Sequence, residues 1–172
     1  FLRNTRDQRD DGIWRSDSED AGRHWSPLRG TGEPNPNAAV SALALDAQHW
    51  LLAANCNARF RDDLCLKATQ DAGQHWQLLT MFHDRTALRA LSPDSDLLKA
   101  RLGEELAQTA GIDDAAAVLA RAEHNKCRDD LCEFQYDYPF MLRTRNGDVH
   151  ILYTWNKSLV RHYWWPANGE AR

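Results

Sequence analysis

The sequence predicts an all-β chain of repeated strand–turn–strand units with an α-helical pair inserted into it, on three observations. An eight-residue phrase occurs twice, as Ser18-Glu19-Asp20-Ala21-Gly22-Arg23-His24-Trp25 and Thr69-Gln70-Asp71-Ala72-Gly73-Gln74-His75-Trp76, and a shift of 51 residues carries Asp20 onto Asp71, the mark of a repeated structural unit. Near the C-terminal end, Asn146-Gly147 separates two apolar runs, a strong hairpin signal. Between these regions the hydrophobic period changes to helical spacing.

The repeated phrase has the chemistry of a tight turn. A hydroxyl and a carboxylate two residues apart cap free backbone N–H groups, Gly supplies a positive φ, and the Trp returns to a packed face. Around the first copy, 1–5 reads as a strand, 6–11 as a polar turn, 12–16 as a second strand and Trp25 to Leu28 as the returning strand, at an edge because Pro27 has no N–H to donate. The Gly- and Pro-bearing stretch 29–37 is a connecting loop. Runs 39–45 and 49–54 form a hairpin, 64–69 the third strand of this unit and 77–79 its fourth. Ser92-Pro93-Asp94 carries helix-start signals: a hydroxyl N-cap, Pro at the first helical position and acid near the positive dipole end. Apolar residues then keep helical spacing to Gly111, and 113–123 is a second helix. A helical pair inside a β-meander is an insertion, either a lid over a site or decoration. Strands return at 138–144, 149–154 and 158–164, followed by a tail with Pro166, Asn168 and Gly169. This divides the chain into 1–91 with the two repeated turns, 92–126 as the helical insertion and 127–172 as the last strand unit.

The net charge of −4 and pI near 6.0 across 172 residues give no basic stripe and no reason to invoke nucleic acid. No run of 18 apolar residues that would cross a membrane as a helix is present. Four cysteines allow three pairings. Cys56–Cys65 with Cys127–Cys132 closes the shortest loops; the rival links Cys65 to Cys132 across two identical Arg-Asp-Asp-Leu-Cys strings. Without a CxxC pair or clustered His a metal site is disfavoured, and no cofactor motif occurs. Bridged cysteines imply an oxidising compartment, periplasmic or secreted; the alternative is four reduced cysteines in a cytosolic chain.

The eight-residue phrase resembles the Asp box of β-propeller proteins, familiar from sialidases, with His24 and His75 where the family usually has Thr. The stretch Tyr136-Asp137-Tyr138-Pro139-Phe140, Asn146-Gly147-Asp148-Val149-His150, Tyr153-Thr154-Trp155 and Val160-Arg161-His162 looks like the last blade of sialidase-like BNR-repeat proteins. Asn35-Pro36-Asn37 and 55–66 share the likeness. The resemblance implies a partial β-propeller, about two and a half four-stranded blades of a six-bladed sialidase-like propeller, with the remainder expected upstream of Phe1. It also implies an exo-glycoside hydrolase acting with retention on a sialic acid or similar acidic sugar. Carried over residue by residue, Tyr138 is the catalytic nucleophile, and Arg3 and Arg61 grip the substrate carboxylate, with Arg59 competing with Arg61. A phenol suits this task, because an attacking carboxylate would repel the carboxylate on the anomeric carbon. A planar guanidinium matches a carboxylate bidentately. A first arginine, an acid/base Asp and a Glu that activates the Tyr belong to earlier blades. Asp137, on the opposite strand face from Tyr138, is a poor base, and His150 and His162 read as packed or solvated. The alternative is a non-catalytic propeller that binds carbohydrate or protein and keeps the Asp boxes as scaffold.

Overall fold

The structure, a computed structural model, describes residues 1–3, 12–83, 95–128 and 131–167. The expected polar turn at 6–11, the Ser92-Pro93-Asp94 helix start, and Asn168 and Gly169 of the tail lie outside the described residues, as do the last two residues of the strand 1–5. Strands run in the order β1 (Trp14–Arg15), β2 (Arg29–Gly30), β3 (Ser41–Ala44), β4 (Trp50–Asn55), β5 (Leu64–Thr69) and β6 (Gln77–Met81). Then come helices α1 (Ser95–Ala107) and α2 (Ala115–Lys126), and strands β7 (Cys127–Arg128), β8 (Leu131–Cys132), β9 (Tyr136–Arg143), β10 (Val149–Trp155) and β11 (Leu159–Trp165). All pairing is antiparallel: β3-β4-β5-β6 form a four-stranded sheet, β9-β10-β11 a three-stranded one, and β1-β2 and β7-β8 two small ones.

The four-stranded sheet is the middle layer. Side chains alternate across a strand with period two. In β4, Leu51 and Ala53, with Leu66 of β5, accordingly face a core shared with Met141, Val149 and Ile151 of the three-stranded sheet. Leu52 and Ala54 face the other way, onto Ile13, Phe1, Val40 and Trp76. A sheet sandwiched between sheets on both faces, with β9 laid against β3 and β4, is consistent with a partial β-propeller-like architecture.

The two repeated turns share one hydrogen-bond pattern. Ser18 Oγ accepts from Gly22 N (2.8 Å) and Thr69 Oγ1 from Gly73 N (3.0 Å), while Asp20 Oδ1 accepts from His24 N (2.8 Å) and Asp71 Oδ1 from His75 N (2.9 Å). Positive φ falls on Ala21 and Ala72 as well as on the glycines. The histidines that stand at the usual Thr position are not idle: His75 Nδ1 meets Asp71 Oδ2 at 2.6 Å, and His24 does the same to Asp20. These bonds, the backbone N–H of the His foremost, hold both carboxyls below the ordinary range.

Two details differ from the sequence reading. The returning strand of the first unit is Arg29–Gly30, paired with β1, instead of Trp25 to Leu28. Ser26 N is already committed to Asp17 O (2.8 Å) and Pro27 has no donor, so pairing begins only beyond them. Trp25 is 64% exposed, its indole bonded to Gly22 O, whereas Trp76 packs on the middle sheet edge-on to Phe1. The second turn has a neighbouring sheet to pack against; among the described residues the first has none.

The helical pair is docked into the core. Leu102, Leu106 and Ala122 are buried with Leu64, Phe134, Tyr136, Tyr153 and Trp155. Glu105 fixes the join, accepting from Trp155 Nε1 (3.1 Å) and pairing with Arg161 (2.8 Å) and His83 (3.3 Å). Helix α2 starts where Asp114 caps Ala117 N (2.9 Å), a residue or two after the expected start.

Candidate functional site

Three segments converge where β4 and β9 meet. Asn35-Pro36-Asn37 is a turn closed by its own first side chain: Asn35, buried, donates to Ala38 O and accepts from Ala38 N, both at 3.0 Å. That turn presents two carbonyls to Arg61, whose guanidinium donates to Pro36 O (3.5 Å) and to Asn37 O. Arg61 lies in the loop between β4 and β5, and that loop is stapled by the Cys56–Cys65 disulfide, with Cα atoms 6.0 Å apart. The second disulfide joins Cys127 to Cys132, so both pairs are the local ones, and together they fit an oxidising compartment.

The start of β9 is tied to the same loop. Tyr136 N donates to Arg61 O (2.7 Å), and Asn55 Nδ2 donates to Tyr136 O (3.0 Å). Next along the strand, Asp137 is 1% exposed. Its Oδ1 lies 3.5 Å from Arg61 Nη1 and neither oxygen has a hydrogen bond. A carboxylate buried without hydrogen bonds is costly unless a cation pairs with it, and Arg61 is the cation beside this one.

Tyr138 follows, and here the strand breaks its own pattern. The pairing of β9 with β10 slips between Leu152 and Thr154, so that Tyr138 and Pro139 oppose the single residue Tyr153, the arrangement of a β-bulge. Tyr138 has φ 54°, a left-handed conformation that costs a residue with a Cβ roughly 1–2 kcal/mol. Its side chain is 54% exposed. The bulge thus keeps Asp137 inward, toward Arg61, and turns the phenol to solvent.

Arg61 is thus tied to the start of β9 through Tyr136 and Asp137, next to Tyr138 along the chain; among the described residues no hydrogen bond or ring contact joins the side chains of Arg61 and Tyr138. Arg59 is exposed, and the chain between the two arginines is not extended: Asn57 Oδ1 accepts from both Arg59 N (2.7 Å) and Phe60 N (3.1 Å). The turn removes the common strand face that two-residue spacing suggests. Arg3 is exposed just beyond the Leu2–Trp14 bridge; among the described residues no hydrogen bond or ion pair joins it to Arg61 or Tyr138. His150 and His162 stack face to face, centroids 5.0 Å apart, on the side of the sheet away from the β4 core.

Sequence reasoning missed two features. The first is the Asp137–Arg61 pair, which needs a contact between residues 76 positions apart along the chain. The second is a buried chain of polar groups under the site: Tyr153 OH meets His83 Nε2 at 2.8 Å, and the His83 ring lies flat on Tyr136 at 3.7 Å. Burial pushes the Tyr153 phenol up to about 12.

A family model described as a BNR repeat-like domain matches residues 1–151. No curated protein matches the chain.

Proposed function

The chain belongs to the BNR repeat-like family, and from that premise we propose that it is a sialidase-like retaining glycoside hydrolase for a sialic acid or similar acidic sugar. The observation that carries the reading is Tyr138: a solvent-facing phenol held at positive φ on a bulge, next along the chain to Asp137 and its already fixed partner Arg61. Strain of this kind is kept where surrounding structure over-determines it, and such places cluster at working sites.

In the reaction, the Tyr138 oxygen forms a bond to the anomeric carbon as the bond from that carbon to the leaving oxygen breaks. The phenol proton passes to a base and the leaving oxygen takes a proton from an acid; no residue of this chain is assigned to either role. Water then attacks the anomeric carbon from the face the leaving group vacated, opposite Tyr138. It gives up a proton to a base, the released Tyr138 oxygen takes one back, and the two inversions give net retention. Arg61 grips the carboxylate that the anomeric carbon bears, its orientation set in advance by Pro36 O, Asn37 O and Asp137, so little ordering remains when substrate arrives. Arg3 is a second clamp in this reading, and Arg59 a peripheral cation. The sheets are two and a half blades of a six-bladed propeller. The exposed Phe140, Leu152 and Val160 form a face suited to a further sheet. With both disulfides formed, the place of action is extracytoplasmic, and the partner is a sialoglycoconjugate or another acidic carbohydrate.

Release of a fluorescent leaving group from an α-sialoside by the intact protein tests this. Tyr138→Phe is expected to lose turnover with its circular dichroism and melting temperature unchanged. Full activity in that variant removes Tyr138 from the mechanism, and sialoside binding without turnover in the unaltered protein selects a carbohydrate-binding propeller instead.

A further inference from the structure

The register of the edge strand β11 on β10 clusters two histidines that lie 12 residues apart along the chain. Trp164 stands directly opposite His150, and His162 opposite Leu152, so the two imidazoles are diagonal neighbours on one face, within reach of each other. They meet: His150 Nδ1 lies 2.8 Å from His162 Nε2, with the ring planes parallel to within 5°. The Trp164 indole runs parallel to the His150 ring to within 9°. One ring donates its N–H to the lone pair of the other, so at least one of the two is neutral. His162 is exposed and His150 half-buried. From β9, Leu142 is the residue opposite His150. Asp148, two residues before His150, already has Oδ1 and Oδ2 accepting from Ala167 N and Asn146 Nδ2, both at 2.9 Å.

We propose that His150 and His162 together form a binding site for a divalent transition-metal ion, with copper(II) the best match. Neutral imidazole nitrogen is a favoured ligand of copper, nickel and zinc, and the ion takes the place of the proton that the two rings share. With bonds of about 2.0 Å, neighbouring ligands of a square-planar ion stand about 2.8 Å apart and those of a tetrahedral ion about 3.3 Å. The observed 2.8 Å fits the square-planar case, the geometry of copper(II) and nickel(II), and copper(II) binds the tighter of the two at such nitrogens. Chelation asks each ring to turn until both lone pairs meet at one point, a soft torsion because χ2 of histidine is broad. Among the described residues no group of three or more His, Cys, Asp or Glu side chains gathers, so water fills the remaining positions. The bound ion ties the edge strand to its neighbour. Nothing in this site depends on Tyr138 or on glycoside cleavage.

The test is titration of copper(II) chloride into the intact protein, followed by calorimetry and by electron paramagnetic resonance. A single tight site with two nitrogen ligands resolved in the resonance spectrum is expected. His150→Gln and His162→Gln should each weaken binding by roughly tenfold or more, since two linked contacts hold far more tightly than either alone, and each should leave one nitrogen ligand. His124→Gln, at an exposed helix position, should change neither reading. Binding that is unchanged in both variants, or weakened in only one of them, overturns the inference, as does an intact protein that takes up no copper. Should either variant fail to fold, the unaltered protein decides, because bound copper(II) broadens the nuclear magnetic resonance signals around it. Broadening centred on His150, Leu152 and Trp164 upholds the site; broadening centred on His24, His49, His75 or His124 overturns it.

Discussion

The backbone at Tyr138 makes a prediction that is independent of any substrate. In an ordinary strand Ala is favoured over Gly by about 0.5–1 kcal/mol, because Gly loses more freedom on folding. At φ 54° the Cβ of Ala instead meets the left-handed penalty of about 1–2 kcal/mol, which exceeds that entropy term. Tyr138→Gly should therefore be more stable than Tyr138→Ala by roughly 0.5–1 kcal/mol. Both variants lose the same ring, so the lost burial cancels. Phe140, two residues on and 59% exposed without a positive φ, is the internal control, where the order should be Ala above Gly by the same amount. The two pairs thus differ by about 1–2 kcal/mol in opposite directions, well within the reach of urea unfolding with equal m-values. If Ala is also the more stable at 138, the strain is not there, and the case for a site built around this residue loses its main support.

Two further outcomes concern turns in which a side chain caps backbone N–H groups. Thr69→Val deletes the hydroxyl that accepts from Gly73 N in a buried setting and should cost about 1–3 kcal/mol, the penalty of an unpaired buried donor; Ser18→Ala removes the equivalent bond at an exposed turn, where water replaces it, and should cost under about 1 kcal/mol by the same unfolding assay. The carboxyls of Asp20, Asp71 and Asp46 are all held low, Asp46 at about 2, chiefly by backbone N–H donors. A depressed folded value means that the stabilisation is whole above the unfolded value near 3.8 and is lost as pH falls through the folded one, so the stability gap between the unaltered protein and Asp46→Asn should close between about pH 4 and 2 in acid titrations followed by circular dichroism.

What the sequence disclosed was local. The Asp-box turns, the Asn146-Gly147 hairpin and the two short-loop disulfides each declare themselves within a dozen residues, because side-chain capping, positive φ at Gly and short closures are neighbour effects. The position of β2 failed for a related reason: Pro27 was visible, but the commitment of Ser26 N to Asp17 O was not. Neither was the bulge at Tyr138 readable, since a left-handed residue is signalled in sequence by Gly or Asn, and here tertiary packing imposes it on an aromatic. Arg61 is nominated through family resemblance, while its partner Asp137 emerges only when β9 and the β4–β5 loop come together. Period and turn chemistry write a sheet; the charges gathered at its end depend on how separate pieces meet.

The claim that Tyr138 bonds covalently to the sugar is open to one direct measurement: rapid acid quench of the intact protein during turnover of a sialoside with a good leaving group, then peptide mass spectrometry. A sialyl adduct on the peptide containing Tyr138, absent from Tyr138→Phe, is the expected result. An adduct on another residue, or turnover that survives in Tyr138→Phe with no adduct in either protein, contradicts it.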